Sequence, residues 1–118
     1  MHTHMDYQIV NHSNYRLLQV GDLLNEVENR EVFQQLKVDS HVAPSSIVVD
    51  IDHLDYVNSV GLSFLLSLYK EATAAGGRML VINSSDTISQ LLSVTKLKDI
   101  LSLCNSVDEA HHYFEQHN

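Results

Sequence analysis

The chain of 118 residues, 44 % hydrophobic and 19 % charged, is long enough for one compact core, too short for two ordinary domains, and too apolar to be disordered. Fifteen acidic against seven basic residues give a net charge of −8, which argues against a nucleic-acid partner, because phosphates demand clustered Lys and Arg. The lone Cys104, beside Ile100, Leu101 and Leu103, excludes an internal disulfide and reads as a buried thiol in a reducing compartment.

The opening MHTHMDYQIV has no basic stretch ahead of an apolar run, so it is not a secretion signal, and residues 1–5 read as a frayed end. No segment approaches the roughly 20 apolar residues of a membrane span. The expectation is a cytoplasmic chain without direct membrane insertion. Residues 7–12 and 15–20 read as two strands joined into a hairpin by the turn formers Ser13 and Asn14, with Gly21-Asp22 ending the second. Residues 26–38 follow a helical pattern through Val27, Phe33 and Leu36, and Pro44 forbids its continuation. Residues 45–51, SSIVVDI, are nearly all apolar and rich in β-branched side chains, as in a strand buried on both faces.

A second helix runs over residues 59–75 and stops at Gly76-Gly77. Residues 78–83 form another buried strand. Ser84 and Ser85 then cap a third helix that carries Ile88, Leu91 and Leu92 on one face. Residues 100–105 read as the last strand, and a final helix follows, capped by Ser106 or Asp108. Strands alternating with helices after residue 45 imply right-handed crossovers. The predicted fold class is α/β: one domain over residues 1–118, with a mostly parallel sheet of about five strands and about four helices.

The second helix carries the candidate site. At about 100° per residue, Leu62, Leu65, Leu66, Tyr69 and Ala72 share the side expected to pack on the sheet, while Ser63, Ser67, Lys70 and Glu71 face water. Val60, Phe64 and Leu68 form a third row, which is either the fringe of the core or an exposed apolar strip for a partner. Burial of Phe64 decides between them. Either Asn58 or Ser59 can cap this helix. Gly61 costs about 1 kcal/mol relative to alanine in a helix interior, which suggests that its missing Cβ leaves room for a molecule approaching Ser59. A phosphate on Ser59 would meet the positive end of the helix dipole.

The order of elements, and above all the run IVVDIDHLDYVNSVGLSFLLSLYKEATAAGGRMLVINSSDTISQLLSVTKLKDIL, resembles the STAS domain of bacterial anti-sigma-factor antagonists. Val48-Val49-Asp50 matches the family's strand ending in Asp, and Asn58-Ser59-Val60-Gly61-Leu62 its Asp-Ser-x-Gly-Leu motif. Gly76-Gly77 with Met79-Leu80-Val81 matches the next turn and strand. SQLLSVTKLKDIL matches the third helix and the lead-in to the last strand, and Gly21-Asp22-Leu23 is similar to a short Gly-Glu-Leu signature.

The resemblance implies partner switching. An unphosphorylated antagonist binds an anti-sigma factor that is also a GHKL-type serine kinase, and the sigma factor is freed. Phosphorylation of the motif serine, here Ser59, ends the complex, and a PP2C-type phosphatase resets it. Asn58, Ser59, Val60, Gly61, Ser63, Phe64 and Ser67 are the implied partner surface. The chain is then a substrate and binding module, not an enzyme, and needs no cofactor. It departs from the motif at Asn58, where the family has Asp; this keeps the cap and removes a carboxylate beside the acceptor. That departure leaves two alternatives open: a constitutive STAS subunit of a lipid-transport ABC system, or a partner switch acting on a target other than a sigma factor.

Other chemistry lacks its pattern. No Cys/His spacing suits zinc, and His111 and His112 point to different sides of their helix. The four glycines are too scattered for a nucleotide loop, and no G-x-S-x-G elbow surrounds Ser59. His53 reads as a polar residue at a strand end.

Overall fold

The computed structural model describes residues 7–21, 26–38, 44–54 and 56–117. His2, His4 and the Asp22-Leu23 part of the first turn signature lie outside the described residues. The hairpin forms as β1 (Tyr7–Asn11) and β2 (Arg16–Val20), closed by His12 N–H donating to the Tyr15 carbonyl at 2.9 Å. Then follow α1 (Glu26–Val38), β3 (Ile47–Asp50), α2 (Ser59–Ala74), β4 (Met79–Ile82), α3 (Asp86–Val94), a 3₁₀ turn (Leu97–Asp99), β5 (Ser102–Cys104) and α4 (Val107–His117). The sheet runs in order β1-β2-β3-β4-β5; only β1 is antiparallel to its neighbour. The α/β class and the five-strand, four-helix count are as the periodicity predicts.

Strand alternation sorts the core into two clusters. Leu18, Val20, Ile47, Val49, Met79 and Val81 face α1, α2 and α3, whereas Leu17, Val48, Leu80 and Ile82 face α4. Successive right-handed crossovers that step in one direction across the sheet place their helices on one face. The helix after the last strand covers the other face with Ala110 and Phe114. Val48 and Val49 point to opposite clusters and are both fully buried, which explains the unbroken apolar run of this strand.

Two local devices fix how the elements join. Arg16 is buried at the start of β2, where Nη1 donates to the Leu36 carbonyl and Nε to that of Pro44, so one guanidinium ties the end of α1 to the sheet. After α2, Gly77 N–H donates to the Ala72 carbonyl and Gly76 N–H to that of Thr73, the double closure of a Schellman motif, with Gly76 at φ +86°. The two glycines serve different ends. A Cβ on Gly76 would meet nothing, whereas one on Gly77 would sit 2.6 Å from the Ser45 carbonyl carbon. Gly77→Ala must therefore push backbone apart and is expected to cost about 2–3 kcal/mol by urea denaturation, against about 1 kcal/mol for Gly76→Ala. Equal costs would refute this division of labour.

Three expectations need correction. Val27 is 68 % exposed; the inward stripe of α1 is Asn29, Val32 and Leu36 with Phe33 partly buried, because the stripe is set by contact with α2 and the sheet. Cys104 is half-buried at the margin of the smaller cluster. Partial burial and the nearby Glu109 carboxylate push its thiol up in pKa, which disfavours the reactive thiolate. His53 lies in an exposed turn beyond Ile51, not at the strand end. No described helix is long and apolar enough to cross a membrane.

Candidate functional site

β3 delivers the chain to the candidate site through a short, pinned connection. Asp50 ends the strand and is buried, its carboxylate held from three sides. Oδ1 accepts from Asn83 Nδ2 and from Asp52 N–H, both at 3.0 Å, and Oδ2 accepts from Gln19 Nε2 at 3.3 Å. Gln19 is the register partner of Asp50 on β2, and Asn83 follows β4 with a left-handed φ of 63°. The bond to Asp52 folds the first turn of the connection, and Leu54 N–H closes it onto the Ile51 carbonyl at 3.0 Å. Ile51, Leu54 and Val57 are plugged into the core, so the connection is fastened at every third residue.

Asn58 caps α2. Its backbone is extended, at φ −99° and ψ −171°, and its Oδ1 accepts from Gly61 N–H at 3.1 Å. Of the two candidate caps only Asn58 serves. Ser59, the first residue of the helix, is exposed, and among the described residues its hydroxyl has no hydrogen-bond partner. Asn58→Ala is accordingly expected to cost about 1 kcal/mol of stability and Ser59→Ala less than about 0.5 kcal/mol, measured side by side in urea. The reverse order would reassign the cap. The first turn of α2 contains no acidic residue, so no side chain there offsets the positive helix end.

The remaining predicted site residues divide by orientation. Ser59, Ser63 and Ser67 recur every four residues and form one wall of an open groove of about 430 Å³, with Val60 and Phe64 beside them. Ser63 and Ser67 are exposed there. The opposite wall comes from α1: Asn29, Arg30 and Phe33. Phe64 is only 6 % exposed and Leu68 1 %, so the row with Val60 is the fringe of the core, and the exposed apolar strip is ruled out. The buried arc of α2 is Gly61, Phe64, Leu65, Leu68 and Ala72, while Leu62, Leu66 and Tyr69 are only half-buried, so the packing face is turned toward α1 from the one predicted. Gly61 is thus part of the buried arc of α2. The large exposed apolar residue near the motif is instead Tyr56, at 62 %.

Asn29, Arg30 and the place of Phe33 in the groove are not legible in the sequence, because no motif contains them. The available signal for Asn29 and Phe33 is their place on the side of α1 that also carries Val32 and Leu36; Arg30 is exposed and lies off that side, and only the packing of α1 on α2 brings it to the groove.

The chain belongs to the STAS domain family, whose model matches residues 9–110. Its fold is similar to that of an anti-sigma factor antagonist from Mycobacterium paratuberculosis, with 18 % identity, a TM-score of 0.76 and 94 % of each chain covered. It is also similar to SpoIIAA in its unphosphorylated form, with 16 % identity and a TM-score of 0.77 over 94 % of this chain and 97 % of that one. The Bacillus cell fate determinant SpoIIAA in its phosphorylated form matches at 16 % identity and a TM-score of 0.71, over 92 % of this chain and 98 % of that one. At these identities the likeness is one of fold.

Proposed function

We propose that this protein is an anti-sigma-factor antagonist that works by partner switching. The unphosphorylated chain binds an anti-sigma factor that is also a serine kinase of the GHKL type, through Ser59, Val60, Ser63 and Ser67 at the start of α2. Transfer of the ATP γ-phosphoryl group to the Ser59 hydroxyl ends the complex, and a PP2C-type phosphatase hydrolyses the ester and restores binding. The single observation that carries this reading is that Asn58 caps the helix, leaving the Ser59 hydroxyl exposed in the groove wall and, among the described residues, without a hydrogen-bond partner. A serine needed as a cap would be a poor acceptor, because its oxygen would be committed to a backbone N–H.

The departure at Asn58 favours the phosphorylated state in one respect. An aspartate there would place a carboxylate next to a phosphate of about −2 charge, whereas asparagine leaves the helix end uncompensated. The test is mass spectrometry after incubation with the cognate kinase and ATP. One phosphate on Ser59, absent in Ser59→Ala, supports the proposal. Stable binding of a partner with no phosphate on any serine would favour the constitutive transport subunit instead.

A further inference from the structure

The two edges of the sheet are built differently. β5, at one edge, has only three residues. β1, at the other, has five, all in unbroken register with β2, and its run YQIVN contains no charge, proline or glycine. Shortness, bulges, prolines and charges are what keep an edge strand from pairing with another chain. β5 has the first of these and β1 has none. The backbone bonds then fix which groups β1 leaves open. His12 N–H donates to the Tyr15 carbonyl, so alternation makes Val10–Leu17 and Gln8–Gln19 the next hydrogen-bonded pairs. Arg16, opposite Asn11, accordingly donates its N–H to the Ser46 carbonyl, on the side away from β1. The N–H and C=O groups of Tyr7, Ile9 and Asn11 therefore point out from the sheet. We propose that a second copy of this chain pairs there, antiparallel about a twofold axis at Ile9, joining two sheets into one.

The strand is complementary to itself in this register. Ile9 stands opposite the second copy's Ile9, Tyr7 opposite its Asn11 and Gln8 opposite its Val10, and the open backbone groups meet in about six hydrogen bonds. Tyr7, Ile9 and Val10, half-buried in one chain, lose further contact with water. The neutrality of the strand selects the partner. Each copy carries a net charge of −8, and β1 lets two such chains meet without setting like charges face to face. Twofold pairing uses β1 in both copies, so association closes at the dimer. No described lining residue of the Ser59 groove lies on β1, so each copy keeps its groove. A five-residue seam falls below about 1,200 Å² of buried surface, which makes the dimer weak.

Sedimentation equilibrium of the full chain, from about 5 to about 500 µM, should show a monomer–dimer equilibrium. Added NaCl should strengthen it, because salt screens the repulsion between two acidic chains. Amide exchange supplies the local signature. Protection of Tyr7, Ile9 and Asn11 should rise with protein concentration, while that of Gln8 and Val10, already bonded to β2, should not. Asn11→Pro removes one outward N–H from each copy, and the fold tolerates it because Asn11 is exposed and that group points away from β2. It should weaken the dimer at least about tenfold. A chain that stays monomeric over the whole range, or a dimer whose added protection falls elsewhere than on these three amides, would overturn the proposal. None of these measurements involves phosphorylation, so their outcome is separate from that of the switch.

Discussion

Glutamate at position 59 is expected to weaken binding to the partner kinase at least about tenfold, or roughly 1.4 kcal/mol, while Ser59→Ala binds like wild type and is not released by ATP. The reasoning is electrostatic and steric. Ser59 stands exposed at the first position of α2, where a partner covering the serine wall of the groove must bury whatever replaces the hydroxyl. A buried carboxylate without a partner loses its hydration and meets any acidic groups on the other protein. The same carboxylate is welcome in the isolated chain, because the first turn of α2 has no acidic residue and its positive end stabilises a negative group by about 0.3–1 kcal/mol. The variant should therefore melt no lower than wild type while binding worse. Titration calorimetry with the kinase, at two salt concentrations, separates the effects; unchanged affinity for Ser59→Glu would dispose of the switch.

The largest effect on stability close to the site is expected at Asp50. Asp50→Ala removes the acceptor shared by Gln19, Asn83 and the Asp52 N–H, and should cost about 3 kcal/mol in urea denaturation. Asp50→Asn keeps the volume and one acceptor oxygen and should cost about 1 kcal/mol. Loss of the bond to Asp52 also releases the first turn of the connection that leads to Asn58. Faster amide exchange in residues 52–54 of Asp50→Ala, beyond that of the rest of the chain, is the local signature. A cost below 1 kcal/mol for Asp50→Ala would mean that solvent replaces the carboxylate freely, and that the network does not hold this connection.

How much of this was legible beforehand depended on how local the cause was. Residues 47–50 declared themselves as a strand because a run of β-branched apolar residues is compatible with little else, and Glu26–Val38 was bounded correctly by its pattern. Periodicity misplaces the phase of α2 for an equally physical reason. Leu62, Phe64, Leu65, Leu66 and Leu68 surround much of the helix, so periodicity alone allows several inward faces. The choice falls to the neighbours: α2 packs against both the sheet and α1, which buries Phe64 and Leu68 and leaves Leu62 and Leu66 half-covered. The cap was ambiguous by one residue, since Asn and Ser are both good acceptors and only the extended backbone of Asn58 selects between them.

The sequence by itself determined the elements, their α/β order, and Ser59 as the residue to watch, because helix starts, β-branched strands and the Asn58-Ser59-Val60-Gly61-Leu62 run are written in neighbouring positions. Only the tertiary structure decided that Asn58 is the cap, that Phe64 and Gly61 belong to the buried arc of α2, and that Arg30 stands across a groove from Ser59. Those facts depend on how α1 and α2 lie together on one face of the sheet. That packing joins residues about 30 positions apart, a separation over which no local periodicity extends.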